Sequence, residues 1–286
     1  LAVTDAQIEY LEDMATHIRE DIIIMLETAG SGHSAGSLGT ADIFSTLYFH
    51  VMKHDPANPD WEDRDKFVLS NGHICPVLYA TLAEAGYYPR KEIMTLRKLG
   101  SRLQGHPHRG SLPGIEASGG PLAQGLSIAA GMAIAAKIDR SHTKVFCMVG
   151  DGEMNEGQIW EALMFIGKNR LNNFTLIVDR NNIQIDGFTE KVMPLEPLND
   201  KLTSFGFHVL EVDGHDIRTL IEAFEETIFD KPKVLLAHTI PGKGVDFMEF
   251  KPEWHGKPPN EKEAKRALSE LESLRSLGGK ITSEYE

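Results

Sequence analysis

The sequence is short of cysteine, of positive charge and of long apolar runs, and each shortage removes a class of protein. Two cysteines in 286 residues, Cys75 and Cys147, sit in unrelated contexts without CxxC spacing. Neither a disulfide framework nor a zinc knuckle is supported, and a reducing cytoplasm fits best. Lysine and arginine total 29 against 42 acidic residues, a formal charge of -13, which argues against a general nucleic-acid or anionic-membrane surface. The longest weakly polar stretch, Gly125 to Ile138, is Ala/Gly-rich, carries Ser127, and falls far short of the roughly 20 apolar residues of a membrane span. It reads as a buried helix. No basic-then-apolar leader opens the chain, and Leu rather than Met at position 1 leaves room for residues upstream. What is there is ordinary soluble-enzyme composition, 41% hydrophobic and 25% charged, long enough for a substantial core.

Periodicity organises the chain. Ala6 to Thr28 sets Ile8, Leu11, Ile18, Ile22, Met25 and Leu26 at helical spacing, with Thr4 or Asp5 as cap and a break at Gly30-Ser31-Gly32-His33. Five nearly continuous apolar runs follow: Lys66 to Ser70, Lys144 to Val149, Phe174 to Asp179, His208 to Val212 and Lys233 to Thr239. Such runs suit parallel strands covered on both faces. Helical patterns lie between them at Gln124 to Lys137, Glu156 to Lys168 and Ile217 to Phe229. The alternation predicts an α/β fold, a doubly wound and mostly parallel sheet with helices on both faces. A single domain over residues 1–286 is expected, with 261–286 (Leu268, Leu271, Leu274, Leu277, then Gly278-Gly279) as a charged helical tail.

The polar and glycine residues collect where these runs end: Ser70-Asn71-Gly72-His73, Gly150-Asp151-Gly152, Asp179 to Asn182, Asp213-Gly214-His215 and Pro241-Gly242-Lys243-Gly244. Ligands of such sheets bind outside the carboxyl ends of the strands. Asp151 and the Asn181-Asn182 pair stand at neighbouring strand tips, with the 28 residues 153 to 180 between Gly152 and Asn181, a comfortable right-handed crossover. A carboxylate, an amide oxygen and a nearby backbone carbonyl on one rim are hard ligands for Mg²⁺, which shares them with water and phosphate. The helix starting near Asn155 or Glu156 adds N–H groups and the positive dipole end for a diphosphate. Either tripeptide alone is an ordinary turn former; their spacing at equivalent strand ends favours a shared site.

Gly150-Asp151-Gly152, the 28-residue interval and Asn181-Asn182 resemble the thiamine diphosphate signature. The wording Gly150-Asp151-Gly152-Glu153-Met154-Asn155-Glu156-Gly157 and Asp179-Arg180-Asn181-Asn182-Ile183-Gln184-Ile185-Asp186-Gly187 resembles transketolases in particular, over essentially the whole chain. By that resemblance Asp151, Asn181 and the carbonyl of Ile183 would hold Mg²⁺. Gly152 would lie on the diphosphate, Ile185 would pack on the thiazolium, and Gly120, Pro121 and Leu122 would contact the bent cofactor. Glu156 would join a proton network between paired sites, beside its plainer reading as an acid at a helix N-terminus.

Twelve histidines are many. His17, His50, His54, His142 and His208 lie in contexts where a solvated or hydrogen-bonded imidazole is the simpler reading, and His215 reads as a structural cap. His33, His73, His106 and His255 sit beside glycine, where the backbone leaves room for a ligand. Their spacing matches no zinc motif, whereas a near-neutral imidazole can exchange protons with sugar hydroxyls or bind a phosphate. All four match active-site histidines of transketolases, which implies that His73 and His255 serve the cofactor and His33, His106 and His255 the sugar. Ser34 replaces the usual Pro after the first, and His108-Arg109 replaces an acidic position after His106-Pro107. His238, Lys243 and Lys257 are further phosphate neighbours to consider.

The resemblance also implies what else is required. In transketolases the acid assisting cofactor deprotonation and the phosphate-gripping arginines reside in later domains, so this chain is expected to be the N-terminal, diphosphate-binding subunit of a two-gene transketolase. It would form a dimer of heterodimers (a heterotetramer) with a separate C-terminal, pyrimidine-binding subunit, and would work on sugar phosphates of pentose phosphate type, without nucleic acid or membrane. Two other readings are the alpha subunit of a 2-oxo acid dehydrogenase, which shares the diphosphate signature, and a non-catalytic metal- or nucleotide-binding α/β subunit.

Overall fold

The computed structural model describes residues 3–276; Leu277 and Gly278-Gly279 of the expected tail lie outside them. In chain order the elements are α1 (Asp5–Ala29), α2 (Ala35–Gly39), α3 (Ala41–Thr46), β1 (Lys66–Leu69), α4 (Cys75–Glu84), α5 (Gln124–Ile138), β2 (Val145–Gly150), α6 (Gly157–Lys168) and β3 (Phe174–Arg180). They continue with β4 (Ile183–Gln184), β5 (Gly187–Phe188), α7 (Thr189–Val192), α8 (Leu198–Ser204), β6 (His208–Asp213), α9 (Ile217–Glu225), β7 (Lys233–His238) and α10 (Glu261–Ser276). The five long strands form one parallel sheet in the order β1-β2-β3-β7-β6, and β4 and β5 make a short antiparallel pair.

The continuous apolar runs are explained by alternation. Phe67, Leu69, Phe146, Met148, Ile177, Leu235 and Ala237 face one core with residues of α1, α4, α9 and α10. Val68, Val145, Cys147, Val149, Leu176, Val178, Val234 and Leu236 face the other with α5, α6 and α8. Successive strand residues point to opposite faces, so a strand covered on both must be apolar throughout. Both cysteines are free and buried, and among the described residues no helix is long and apolar enough to cross a membrane.

The caps follow the sequence at one end and depart from it at another. Thr4 closes a capping box with Gln7, and Gly30, at φ 63°, ends α1. Helix α9 stops at Glu225 rather than reaching Phe229. The ammonium of Lys233 donates to the carbonyls of Ala223, Phe224 and Glu226, satisfying the last turn, and Phe229 is left exposed. The α10 helix lays Ala264, Ala267 and Leu271 into the core beside α1.

Candidate active site

The carboxyl ends of β1, β2 and β3 bring three loops into contact. The register pairs Gly150 with Asp179, so Asp151 leaves β2 where Arg180 and Asn181 leave β3. The amide of Asp151 donates to Asp179 O (3.1 Å) and the amide of Asn182 to Asp151 Oδ2 (2.7 Å). Asn182 sits at φ 62°, a left-handed conformation asparagine tolerates. Asn181 Nδ2 donates to Asp179 Oδ2 (2.7 Å), while its Oδ1 accepts from the amide of Ile183 (3.0 Å). On the β1 side, a Cβ at Gly72 would lie 3.1 Å from Gly120 N; the 70–73 and 118–121 loops therefore touch backbone to backbone. A Cβ on Gly152 would meet Gln184 Cβ at 2.9 Å, so the β2 tip and the β4 strand approach as closely as glycine permits.

Two buried side chains tie these loops together, and sequence reading assigned neither a role. The Glu153 carboxylate accepts from Ser70 Oγ (2.5 Å) just past β1, Ala123 N (2.6 Å) at the entry to α5 and Gly150 N (3.1 Å) at its own β2 tip; Ala123 is held at φ 70°, a costly backbone for a non-glycine residue. Burial pushes the Glu153 carboxyl above its usual value, with the three hydrogen bonds opposing. Arg180 donates to Asp151 Oδ2 (3.1 Å), Glu190 (2.7 Å) and Glu196 (2.8 Å), so a fixed cation faces Asp151. Even so, burial holds Asp151 at about 6, and Asp179, buried beside it and bonded to Thr239, at about 7. Both stand in polar strand-end stretches, Gly150 to Gly157 and Asp179 to Asn182, where nothing in the sequence sets them apart from their charged neighbours.

The donor set fits a hard divalent cation. An ionised carboxylate offers about four acceptor positions and an amide oxygen two. Asp151 uses three, for Gly152 N (2.7 Å), Asn182 N and Arg180, and Asn181 Oδ1 uses one. One position remains on each. Among the described residues no group of three or more His, Cys, Asp or Glu side chains is arranged for an ion; the candidate ligands are a single carboxylate, an amide and a carbonyl. Ile185, 72% exposed, and Leu122 present apolar side chains to the open rim, as a heterocycle would require.

The four glycine-flanked histidines gather at this rim. His33, His73 and His255 stand with ring centroids 5.0 Å (33–73), 5.2 Å (73–255) and 5.8 Å (33–255) apart, and His106 lies against Gly120. Burial, reinforced by the neighbouring imidazoles, lowers His33 to about 4 and His73 to about 3; burial also lowers His106 and His255. All four are neutral at pH 7, each with one donor and one acceptor. Among the described residues, the buried Nδ1 atoms of His33 and His255 and Oδ1 of Asn71 have no hydrogen-bond partner, so each can accept or donate to a bound ligand.

The remaining candidates scatter. His215 bridges Asp42 (2.7 Å) and the amide of Ile240 (2.7 Å), a structural role. His17, His50, His54 and His208 pair with neighbouring side chains or a carbonyl. His238 contacts Glu211, Lys257 pairs with Glu263 over the Trp254 ring, and Lys243 is buried. Glu156 is exposed at the N-cap of α6, whose first helical residue is Gly157. A broad cavity of about 870 Å³, lined by Asp60, Arg64, Lys66, Asp139 and Thr143 among others, opens at the amino ends of β1 and β2. That is the wrong end of the sheet for this chemistry.

Comparison with known proteins shows which family the chain resembles. Residues 11–273 match the family model for the transketolase thiamine diphosphate-binding domain. The chain is 42% identical over 272 residues to the 6-deoxy-6-sulfo-D-fructose transketolase subunit SqwG of Clostridium sp. strain MSTE9, covering 94% of this chain and 98% of that protein. It is 39% identical over 267 residues to one of the subunits of the apulose-4-phosphate transketolase of Phocaeicola vulgatus, covering 93% and 95%. Among solved structures, Campylobacter jejuni transketolase superposes with TM-score 0.87 at 35% identity over 92% of this chain and 42% of that one. Leishmania mexicana transketolase does so with TM-score 0.86 at 30% identity over 98% and 45%. The chain thus spans less than half the length of these two transketolases.

Proposed function

The chain belongs to the transketolase thiamine diphosphate-binding domain family, and from that premise we propose that it is the N-terminal subunit of a two-subunit transketolase. It moves a two-carbon ketol unit from a ketose phosphate to an aldose in sugar phosphate metabolism of pentose phosphate type, in the cytoplasm. One observation carries this reading: the relatives whose names make them subunits are covered over 98% and 95% of their length, whereas rat transketolase is covered over 43%.

In this reading Asp151, Asn181 and the carbonyl of Ile183 hold Mg²⁺. Gly152 lies against the diphosphate, His73 and His255 against the cofactor, and Gly120, Pro121, Leu122 and Ile185 around its rings. The cofactor supplies a carbon nucleophile and a sink for the electrons of the broken carbon–carbon bond. The chain supplies the rest: Arg180 and the cation offset the buried Asp151 charge, and Glu153 joins the β1 and β2 tips to the entry of α5. The neutral imidazoles of His33, His106 and His255 orient the sugar and take or return its hydroxyl protons. Glu156 joins paired sites across a dimer of heterodimers with the C-terminal, pyrimidine-binding subunit. Exposed apolar side chains on α5 and α6, Ile128, Ile138, Met164 and Phe165, support burial of that face by a partner.

The test is reconstitution with the C-terminal subunit that co-purifies from the native cell. Ketol transfer from a ketose phosphate is expected on mixing; robust activity of this chain alone, or oxidation of pyruvate by the assembled enzyme, overturns the reading. Asp151→Ala is expected to abolish cofactor retention. His33→Ala is expected to retain cofactor and slow turnover by roughly 100-fold. Equal loss of cofactor by both variants contradicts the division of roles.

A further inference from the structure

Arg97 is exposed at the mouth of the histidine cluster and belongs to none of the motifs above. Its backbone sits at φ 59°, a conformation that costs a non-glycine residue about 1 kcal/mol or more and is retained where the surroundings enforce it. Its amide donates to Leu103 O (2.9 Å), closing the 97–103 loop. The side chain then reaches back to both turns that carry sugar-side histidines. Nη1 donates to Ser31 Oγ (3.4 Å), two residues before His33, and Nη2 to Gly105 O (3.3 Å), one residue before His106. Its positive charge is felt at both imidazoles.

Neither contact is to an acid, and among the described residues Arg97 makes no ion pair. Contrast Arg102, five residues on, which is clamped by Glu92. A guanidinium has five N–H donors in a planar fork matched to tetrahedral oxyanions; Arg97 spends two of them on latching the loops. The two relatives named above act on sugars bearing a sulfonate or a phosphate, the oxyanion class such a fork recognises.

We propose that Arg97 is an anion-recognising, specificity-determining residue through which this chain adds its own contact to the phosphate or sulfonate of the sugar, beside the arginines that the resemblance places in the later domains. The proposal rests on the transketolase reading for its substrate and on the geometry of Arg97 for its site. In the reconstituted enzyme, Arg97→Gln is expected to raise KM for glyceraldehyde 3-phosphate at least about 10-fold more than KM for glyceraldehyde, as for a lost charge-assisted hydrogen bond, with partial rescue by Arg97→Lys. Fructose 6-phosphate and 6-deoxy-6-sulfofructose, compared as donors, identify which oxyanion is served. Equal changes for charged and uncharged sugars overturn the proposal. A second measurement needs no turnover. In the isolated chain, inorganic phosphate or sulfate is expected to slow phenylglyoxal modification at Arg97 more than at exposed Arg109, read by peptide mass. Lack of selective protection overturns the anion site. An inactive wild-type complex, by contrast, would overturn the transketolase reading and leave this second measurement to decide Arg97.

Discussion

Two glycines of α5, six residues apart, are expected to respond oppositely to the same added methyl. Gly125 lies in the first turn, where a Cβ would stand 2.6 Å from Ser70 Cα, 2.7 Å from its Cβ and 2.8 Å from its Oγ; Gly131 has nothing within 4 Å. At Gly131, alanine removes the glycine penalty of a helix interior, a gain of about 0.5–1 kcal/mol. At Gly125 the same gain is opposed by overpacking. The nearest obstacle is the Ser70 backbone just past the end of β1, so α5 and that turn must part by roughly 0.8 Å to reach ordinary contact, at a cost of about 1–3 kcal/mol. The two variants should therefore differ by about 1–3 kcal/mol, Gly131→Ala the more stable, in urea denaturation of the isolated chain. Because Ser70 donates to Glu153, the displacement also reaches the loops of the site, and Gly125→Ala should weaken thiamine diphosphate retention in the assembled enzyme. Equal stability of the two variants would refute the argument that the small residues of α5 serve close approach to the end of β1.

Glu153 offers a graded test. Alanine leaves three donors unmet and should cost about 3 kcal/mol or more. Glutamine can keep Ser70 and Ala123 on its oxygen but turns an amino group toward Gly150 N; relief of the buried charge offsets part of this, for a net cost of about 1 kcal/mol. Alanine costing no more than glutamine in denaturation would contradict the tie through Glu153. Site-resolved NMR titration should find His33 and His73 neutral down to pH 5, with apparent values of about 4 and about 3; titration of either near 6.5 would contradict the buried cluster. For these rings the folded values lie below the unfolded 6.5, so stability is lost as pH falls through that window, at most about 1.4 kcal/mol per unit and ring. Asp151 and Asp179, raised to about 6 and about 7, act in the opposite sense there. Global stability curves therefore do not isolate these rings, and site-resolved data decide.

The sheet was legible because both its faces are covered: strands such as Val145–Gly150 need apolar residues at every position, and the run announces itself. The rim was legible because the loops at the strand ends interrupt those runs with Gly, Asp, Asn and His. What escaped depends on contacts remote in sequence. The end of α9 at Glu225 is set by Lys233, which a helical pattern reaching Phe229 cannot reveal. The short helices α2 and α3 and the π-helical turn Leu47–Val51 lie in a stretch buried nearly throughout, where amphipathic periodicity vanishes. Glu153 and Arg180 read as ordinary charged residues until their partners are seen, and Arg97 acquires meaning only when the Ser31 and Gly105 turns fold against it.

The most direct test of the central claim replaces Mg²⁺ by Mn²⁺ in crystals of the assembled enzyme with thiamine diphosphate and locates the ion by anomalous scattering. The account predicts one peak at direct ligand distance, about 2.1 Å, from the Asp151 carboxylate, Asn181 Oδ1 and the Ile183 carbonyl, with the diphosphate completing its shell. An ion bound elsewhere, with Asp151 still held by Arg180 and Asn182 and out of its reach, would contradict it.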